Sequence, residues 1–267
     1  MICTLIVVLI SSFSDTSFLS KLVWYHVFTY MKPIRYKTSF PISIRQTLLL
    51  VVVGYLAMPI LLALPLIISK TIGISLAEKI GLNLDNFYIF ILISSAFSLL
   101  FCSIIIAIKL RRAHLSWNAL GFRTVSIKRS LKYVFGFPIM IIVFTLLIAG
   151  LLSLVGVDAS KQNSTQSDFG PLWASIVVTV IFAPVIEEVL FRGILLQQLL
   201  ARMRAPAAII VSGLIFAVAH IDPVRMIMVL PLGLYIGYTY YRLNSIWPGI
   251  FIHTGWNLLA TLAMASS

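Results

Sequence analysis

Three apolar runs, residues 47–69, 87–108 and 133–156, are each long enough to cross a bilayer as a helix, which takes roughly 20 residues. Four more follow at 172–200, 206–220, 224–241 and 246–264, divided only by very short polar breaks. The chain carries 10% charged residues over 267 positions, with 60% hydrophobic residues and a mean hydropathy of +1.05. A soluble domain would carry about a quarter charged residues. No single core of this length hides so much apolar surface, so lipid is the solvent for most of it. The expected fold is all-α, a polytopic membrane helical bundle of about seven transmembrane helices, within a range of about six to eight. We divide it into an N-terminal cytoplasmic or interfacial segment (1–46), N-terminal transmembrane helices (47–156) and a C-terminal transmembrane core (157–267). The substantial loops are 109–132 and 157–171.

The first 30 residues allow three readings. MICTLIVVLI is apolar but short and lacks the basic start of a signal peptide, so it is an interfacial segment or a short extra span. Alternatively translation begins at Met31, where MKPIRYK looks like an ordinary basic cytoplasmic start. The net charge of +12 does not point to nucleic acid, because the basic residues cluster between the apolar runs as orientation signals do. Residues 21–45 hold five Lys and Arg, 109–132 hold seven, and Arg202, Arg204 and Arg242 add three; the alternate loops hold only Lys70, Lys79, Lys161 and Arg225. That imbalance puts 21–46 and 109–132 in the cytoplasm and the C-terminus outside. Helix 172–200 then runs inward. The two cysteines, Cys3 and Cys102, match no metal or disulfide spacing and read as small hydrophobes in helices. His26 and His114 lie in basic segments and read as solvated.

Residues 182–193, FAPVIEEVLFRG, break the apolar pattern. Apart from Glu187 and Glu188 the chain has one glutamate, Glu78. Two ionised acids near a bilayer centre would cost on the order of 5–7 kcal/mol uncompensated. Compensation is partly local: Glu188 and Arg192 are four apart with the acid first, sharing a helix face in the favoured order. Glu187 points about 100° away and reaches that arginine less easily. Burial disfavours the charged form of a carboxyl, the condition under which one serves as a general base. A buried ion-pair network that only fixes helix packing is the competing reading, and it suits Glu188 and Arg192 better than Glu187. Pro184, one turn earlier, removes a backbone hydrogen bond beside the acids.

Two later spans carry histidine. FAVAH at 216–220 puts Phe216 and His220 at i, i+4, and HTGWN at 253–257 does the same for His253 and Asn257. The set allows water activation: Glu187, helped by His220, takes a proton from water, while His253 and Asn257 donate to the oxyanion. No Gly-x-Ser-x-Gly elbow offers another nucleophile. A zinc ion on Glu187, His220 and His253 is the alternative, without an HExxH signature to support it. Depth fits poorly. At 1.5 Å per residue, His220 comes out about 22 Å below the inner surface and His253 about 10 Å. Helix 206–220 is therefore expected to begin below the membrane plane, to tilt, or to re-enter.

EEVLFR at 187–192, FAVAH at 216–220 and HTGWN at 253–257 resemble the EExxxR, FxxxH and HxxxN motifs of the CAAX protease and bacteriocin-processing (CPBP, or Abi) family, which includes the type II CAAX prenyl endopeptidases. The resemblance covers roughly 170–264; residues 1–130 carry no family motif. It implies an all-α intramembrane protease opening toward the cytoplasm, in a bacterial inner membrane. By that resemblance Glu187 is the general base, Glu188 and Arg192 support the motif helix, His220 helps hold the water, and His253 and Asn257 stabilise the oxyanion. The implied cofactor is Zn2+ or another divalent ion, or none if the glutamate works alone. The implied substrate is a membrane peptide or protein, prenylated or a peptide precursor, and no nucleic acid is involved. Two other classes compete: a proton- or cation-coupled transporter using the buried carboxylates as a relay, and a non-catalytic immunity or scaffold protein. A transporter would more often show internal repeats and polar residues in both halves; here they are confined to the C-terminal half.

Overall fold

The computed structural model describes residues 41–52, 87–136, 138–154, 156 and 171–265. The chain divides into two units, Met1–Arg35 and Tyr36–Ser267. The first lies wholly outside the described residues, as do the candidate start at Met31, His26, most of the run 47–69 and the loop 157–170. The described residues of the second unit form helices and no strand. They are α1 (Ile44–Leu50), α2 (Phe87–Arg112), a 3-10 turn (Trp117–Leu120), α3 (Ile127–Gly136) and α4 (Pro138–Leu154). After these come α5 (Leu172–Leu200), α6 (Ala205–Val218), α7 (Pro223–Leu243) and α8 (Trp247–Ala265). The protein is thus an all-helical membrane protein. By length and composition, two described stretches are able to cross a bilayer: Ile127–Leu151, which α3 and α4 cover, and Leu172–Leu200. Of the expected seven spans, these are the two that meet the test among the described residues.

Local sequence explains the helix ends. Ser43 and Gln46 form a reciprocal cap on α1, each side chain accepting from the other's backbone N–H at 3.2 and 3.1 Å. Asp222 caps α7 by accepting from the Arg225 N–H at 2.7 Å, with Pro223 in the first turn, where its missing N–H costs nothing. Asn244, at φ 51°, ends α7 in the left-handed conformation that asparagine tolerates. Helix α6 stops at Val218, earlier than the expected 220. His220 therefore sits in the turn beyond it, just before Ile221 at φ 64°.

Helix α5 is the central element. Every residue from Ile186 to Leu199 is buried, and such a helix must be apolar on all sides except where it carries a paired group. Its α1 neighbour is tied in by Gln198, whose Nε2 donates to Thr47 Oγ1 at 3.2 Å. Helices α6 and α7 approach closely through glycines. A Cβ on Gly213 would lie 2.7 Å from Leu234, and one on Gly233 would lie 2.9 Å from the Phe216 ring. Small residues at such crossings are how helices pack where lipid supplies no hydrophobic drive. The loop after α2 is docked onto the core rather than loose. Gln197 Nε2 donates to the Ala119 carbonyl at 2.7 Å, the Ile246 N–H to the Gly121 carbonyl at 2.9 Å, and Ser245 Oγ to the Arg123 carbonyl at 2.7 Å.

Candidate active site

The acids of α5 and the histidine of α8 meet in the interior. Glu187, Glu188, Arg192 and His253 are 2%, 0%, 0% and 2% exposed, so each charge needs a partner inside the protein. Arg192 Nη1 donates to Glu188 Oε1 at 2.8 Å, the i, i+4 pair expected from the spacing. Its Nη2 donates to the Gly233 carbonyl at 2.9 Å, and its guanidinium lies 4.5 Å from the centre of the Phe216 ring. The same Glu188 oxygen lies 3.1 Å from His253 Nδ1. Beside Arg192 this carboxylate is an acceptor, so Nδ1 is the ring nitrogen that donates to it. The other nitrogen, Nε2, then faces Glu187 Oε2 at 3.8 Å. The two acids are unequal, as their spacing predicts. Glu188 is shared between Arg192 and His253, while Glu187 faces the far edge of the imidazole.

Glycines make this geometry attainable. A Cβ on Gly249 would stand 3.0 Å from Glu188 Oε2 and 2.7 Å from Ile236 Cγ2, so only a bare backbone lets α8 come this near the acid. Gly233 places its carbonyl within reach of Arg192 for the same reason.

His220 joins the group through an aromatic ring. Phe216 is fully buried and stands edge-to-face with His220 at 5.0 Å and with His253 at 5.6 Å between centroids. Phe216 thus joins two histidines that a common starting plane for α6 and α8 places at different depths, about 22 and about 10 Å. His220 Nδ1 lies 2.9 Å from the Phe216 carbonyl, which leaves Nε2 as the ring nitrogen without that backbone contact.

Asn257 reaches across to α5. Its Nδ2 donates to the Thr179 carbonyl of α5 at 2.7 Å. Thr254, which the sequence reading passed over, donates from Oγ1 to the Val180 carbonyl at 3.1 Å. These carbonyls lie in the first of two wide-turn segments of α5, Ile176–Phe182 and Val189–Leu196, which flank the acids on either side. Such π-type turns recur at functional sites.

A divalent ion on Glu187, His220 and His253 is one of the two alternatives from the sequence, beside a glutamate that works alone. Among the described residues no three His, Cys, Asp or Glu side chains are arranged to hold a metal. The Nδ1 of His253 is taken by Glu188 and that of His220 by the Phe216 carbonyl, so the Nε2 of each ring is the nitrogen left for an ion. Glu187 and His253 face each other, and these two ligands fall short of the three a catalytic metal site takes from protein.

Several contributors left little trace in sequence. Gly233 and Gly237 spell a small-xxx-small pair that signals a close helix crossing. Gly249 follows Pro248 and looks like an ordinary helix start. Thr254 sits inside HTGWN and is visible only if its neighbours are read together with Pro184.

Residues 169–259 match the family of type II CAAX prenyl endopeptidase Rce1-like proteins. That stretch contains all six expected site residues. A Bacillus subtilis (strain 168) protein named "Putative membrane peptidase YdiL" is 27% identical over 110 residues, which is 40% of this chain and 45% of that protein. The chain thus aligns with less than half the length of this curated relative. No solved structure matches it.

Proposed function

We propose that this chain, whose residues 169–259 carry the match to the type II CAAX prenyl endopeptidase Rce1-like family, is an intramembrane endopeptidase. It hydrolyses a peptide bond of a membrane-associated or lipidated substrate with water activated by Glu187. The observation that carries the reading is the pairing of Glu187 Oε2 with His253 Nε2 at 3.8 Å, both buried. At that separation one water reaches both atoms at hydrogen-bond distances of about 2.8 Å. Glu187 takes the proton as the water oxygen attacks the carbonyl carbon, then delivers it to the amine as the C–N bond breaks. His253 Nε2, left as an acceptor by the Nδ1–H bond to Glu188, takes the water's second hydrogen and so orients its oxygen toward the carbonyl carbon. Glu188 fixes which ring nitrogen does this, and Arg192 balances Glu188. The family resemblance assigns His220, packed against the same Phe216 ring as His253, to holding the water.

The family match supports a peptide bond as target, and the relative's name supports a membrane setting. The Lys and Arg distribution supports a site toward the cytoplasm of a bacterial inner membrane. The test is cleavage of a quenched membrane-peptide library by purified protein. Wild type is expected to cleave, and Glu187→Gln, which keeps shape and loses the base, to drop by about 10³-fold or more. An active Glu187→Gln, or a wild type that cleaves nothing while Glu187→Ala complements in cells, refutes the reading.

A further inference from the structure

Pro184 lies inside α5, one turn before Glu187, and brings no N–H. Just before it the chain runs in the wide register: the Ala183 N–H bonds to the Val178 carbonyl, five residues back. In that register position 184 would serve the Thr179 carbonyl, and in the ordinary register the Val180 carbonyl. Proline offers no N–H in either register, so one of these carbonyls loses its helical donor, which is costly in the interior. Helix α8 supplies a donor to each of the two. Asn257 Nδ2 reaches Thr179 O at 2.7 Å and Thr254 Oγ1 reaches Val180 O at 3.1 Å. The residue next to Thr254 is His253, which binds Glu188. One turn of α8 therefore holds α5 at two levels, by its side-chain acid and by the backbone that the proline leaves open.

We propose that Thr254 and Asn257 are positioning residues that replace the donor missing at Pro184 and so set the direction in which Glu187 leaves the helix. This rests on the hydrolytic reading, in which Glu187 must face His253 Nε2. It gives Asn257 a task different from touching the reacting carbonyl. Its amide holds the helix that carries the base, and Thr254 shares that work.

The test is a cycle with Pro184→Ala, which returns the N–H. Single-turnover cleavage is measured for Asn257→Ala, Thr254→Val and Thr254→Ser, each with Pro184 intact and again combined with Pro184→Ala. Deuterium exchange of the amides of residues 185–192 is measured on the same samples. With Pro184 intact, Asn257→Ala is expected to slow the chemical step by about 10- to 100-fold with KM within about twofold, as a misplaced catalytic group does. It should also speed exchange of these amides by about tenfold or more. In the Pro184→Ala background both effects should shrink to within about threefold, because neighbouring changes that share one partner are not additive. Thr254→Ser, which keeps the hydroxyl, should stay near wild type while Thr254→Val should not. An equal loss from Asn257→Ala in both backgrounds, in rate and in exchange, overturns the proposal and returns Asn257 to the oxyanion. Coupled exchange in a protein that cleaves nothing supports the helix cap and refutes the hydrolytic reading instead.

Discussion

Helices α4 and α5 are both apolar and yet opposite in use. Of the stretch that contains α4, 8% of the crossing window is buried against protein; for α5 the share is 56%. Helix α4 turns Ile142, Val143, Leu146, Leu147 and Leu151 outward, a face suited to lipid. Helix α5 buries two glutamates, an arginine and two glutamines among its leucines. Hydropathy alone marks both as spans and cannot rank them. What separates them is whether polar groups inside the run have partners on other helices, and in α5 they do: Arg192 with Gly233, Glu188 with His253, Gln197 with Ala119.

The contrast is open to mutation, beginning with the largest expected effect. Glu188→Ala leaves Arg192 buried beside an empty place. It should cost about 3–5 kcal/mol in thermal or denaturant unfolding and remove cleavage, whereas Glu188→Gln should cost less, because it keeps an oxygen for Arg192. A Glu188→Ala protein as stable as wild type would mean that the pair is not what holds α5. Next, Gly249→Ala puts a methyl 2.7 Å from Ile236 Cγ2 and 3.0 Å from Glu188 Oε2. About 1–3 kcal/mol of destabilisation and about a tenfold slower reaction should follow, read by melting and by initial rates. If the rate is unchanged, α8 does not need its close approach to the acid. Gln197→Ala removes the tether at 2.7 Å to Ala119 and should cost about 1 kcal/mol, with proteolytic nicking of residues 113–126 rising first. The smallest effect belongs to α4. Leu147→Ala should stay within about 0.5 kcal/mol and leave cleavage alone, and a large loss there would erase the distinction between the two helices.

Much of the site was legible because charge is conspicuous in an apolar chain. Glu187, Glu188 and Arg192 stand out at once, and their spacing assigns the ion pair to Glu188 before any coordinates are seen. His253 is legible as an unusual residue in a span, and its match with the acids follows from a family pattern rather than from helix geometry. Depth was legible only as a conflict: counting residues from one membrane plane separates His220 from His253, which asks for a lower, tilted or re-entrant helix 206–220, and Phe216 touches both. A helix's rise is fixed, but where it starts relative to its neighbours is set by packing. Gly233, Gly249 and the docked turn 117–120 were hidden for a related reason, since a missing side chain or a carbonyl contact leaves no mark until two segments are known to meet. Asn257 was singled out as a residue, but its partner, Thr179 O, was beyond reach of a one-dimensional reading.

The central claim is that Glu187 and His253 act on one water, and a double-mutant cycle on the cleavage step tests it most directly. Single-turnover rates of Glu187→Gln, His253→Ala and the double variant are compared with wild type on one membrane peptide. If the two side chains share the water, the double variant is no slower than the slower single, within about threefold, because removing either already disables the unit. If the losses multiply, Glu187 and His253 act at separate points, and their 3.8 Å approach is packing rather than mechanism.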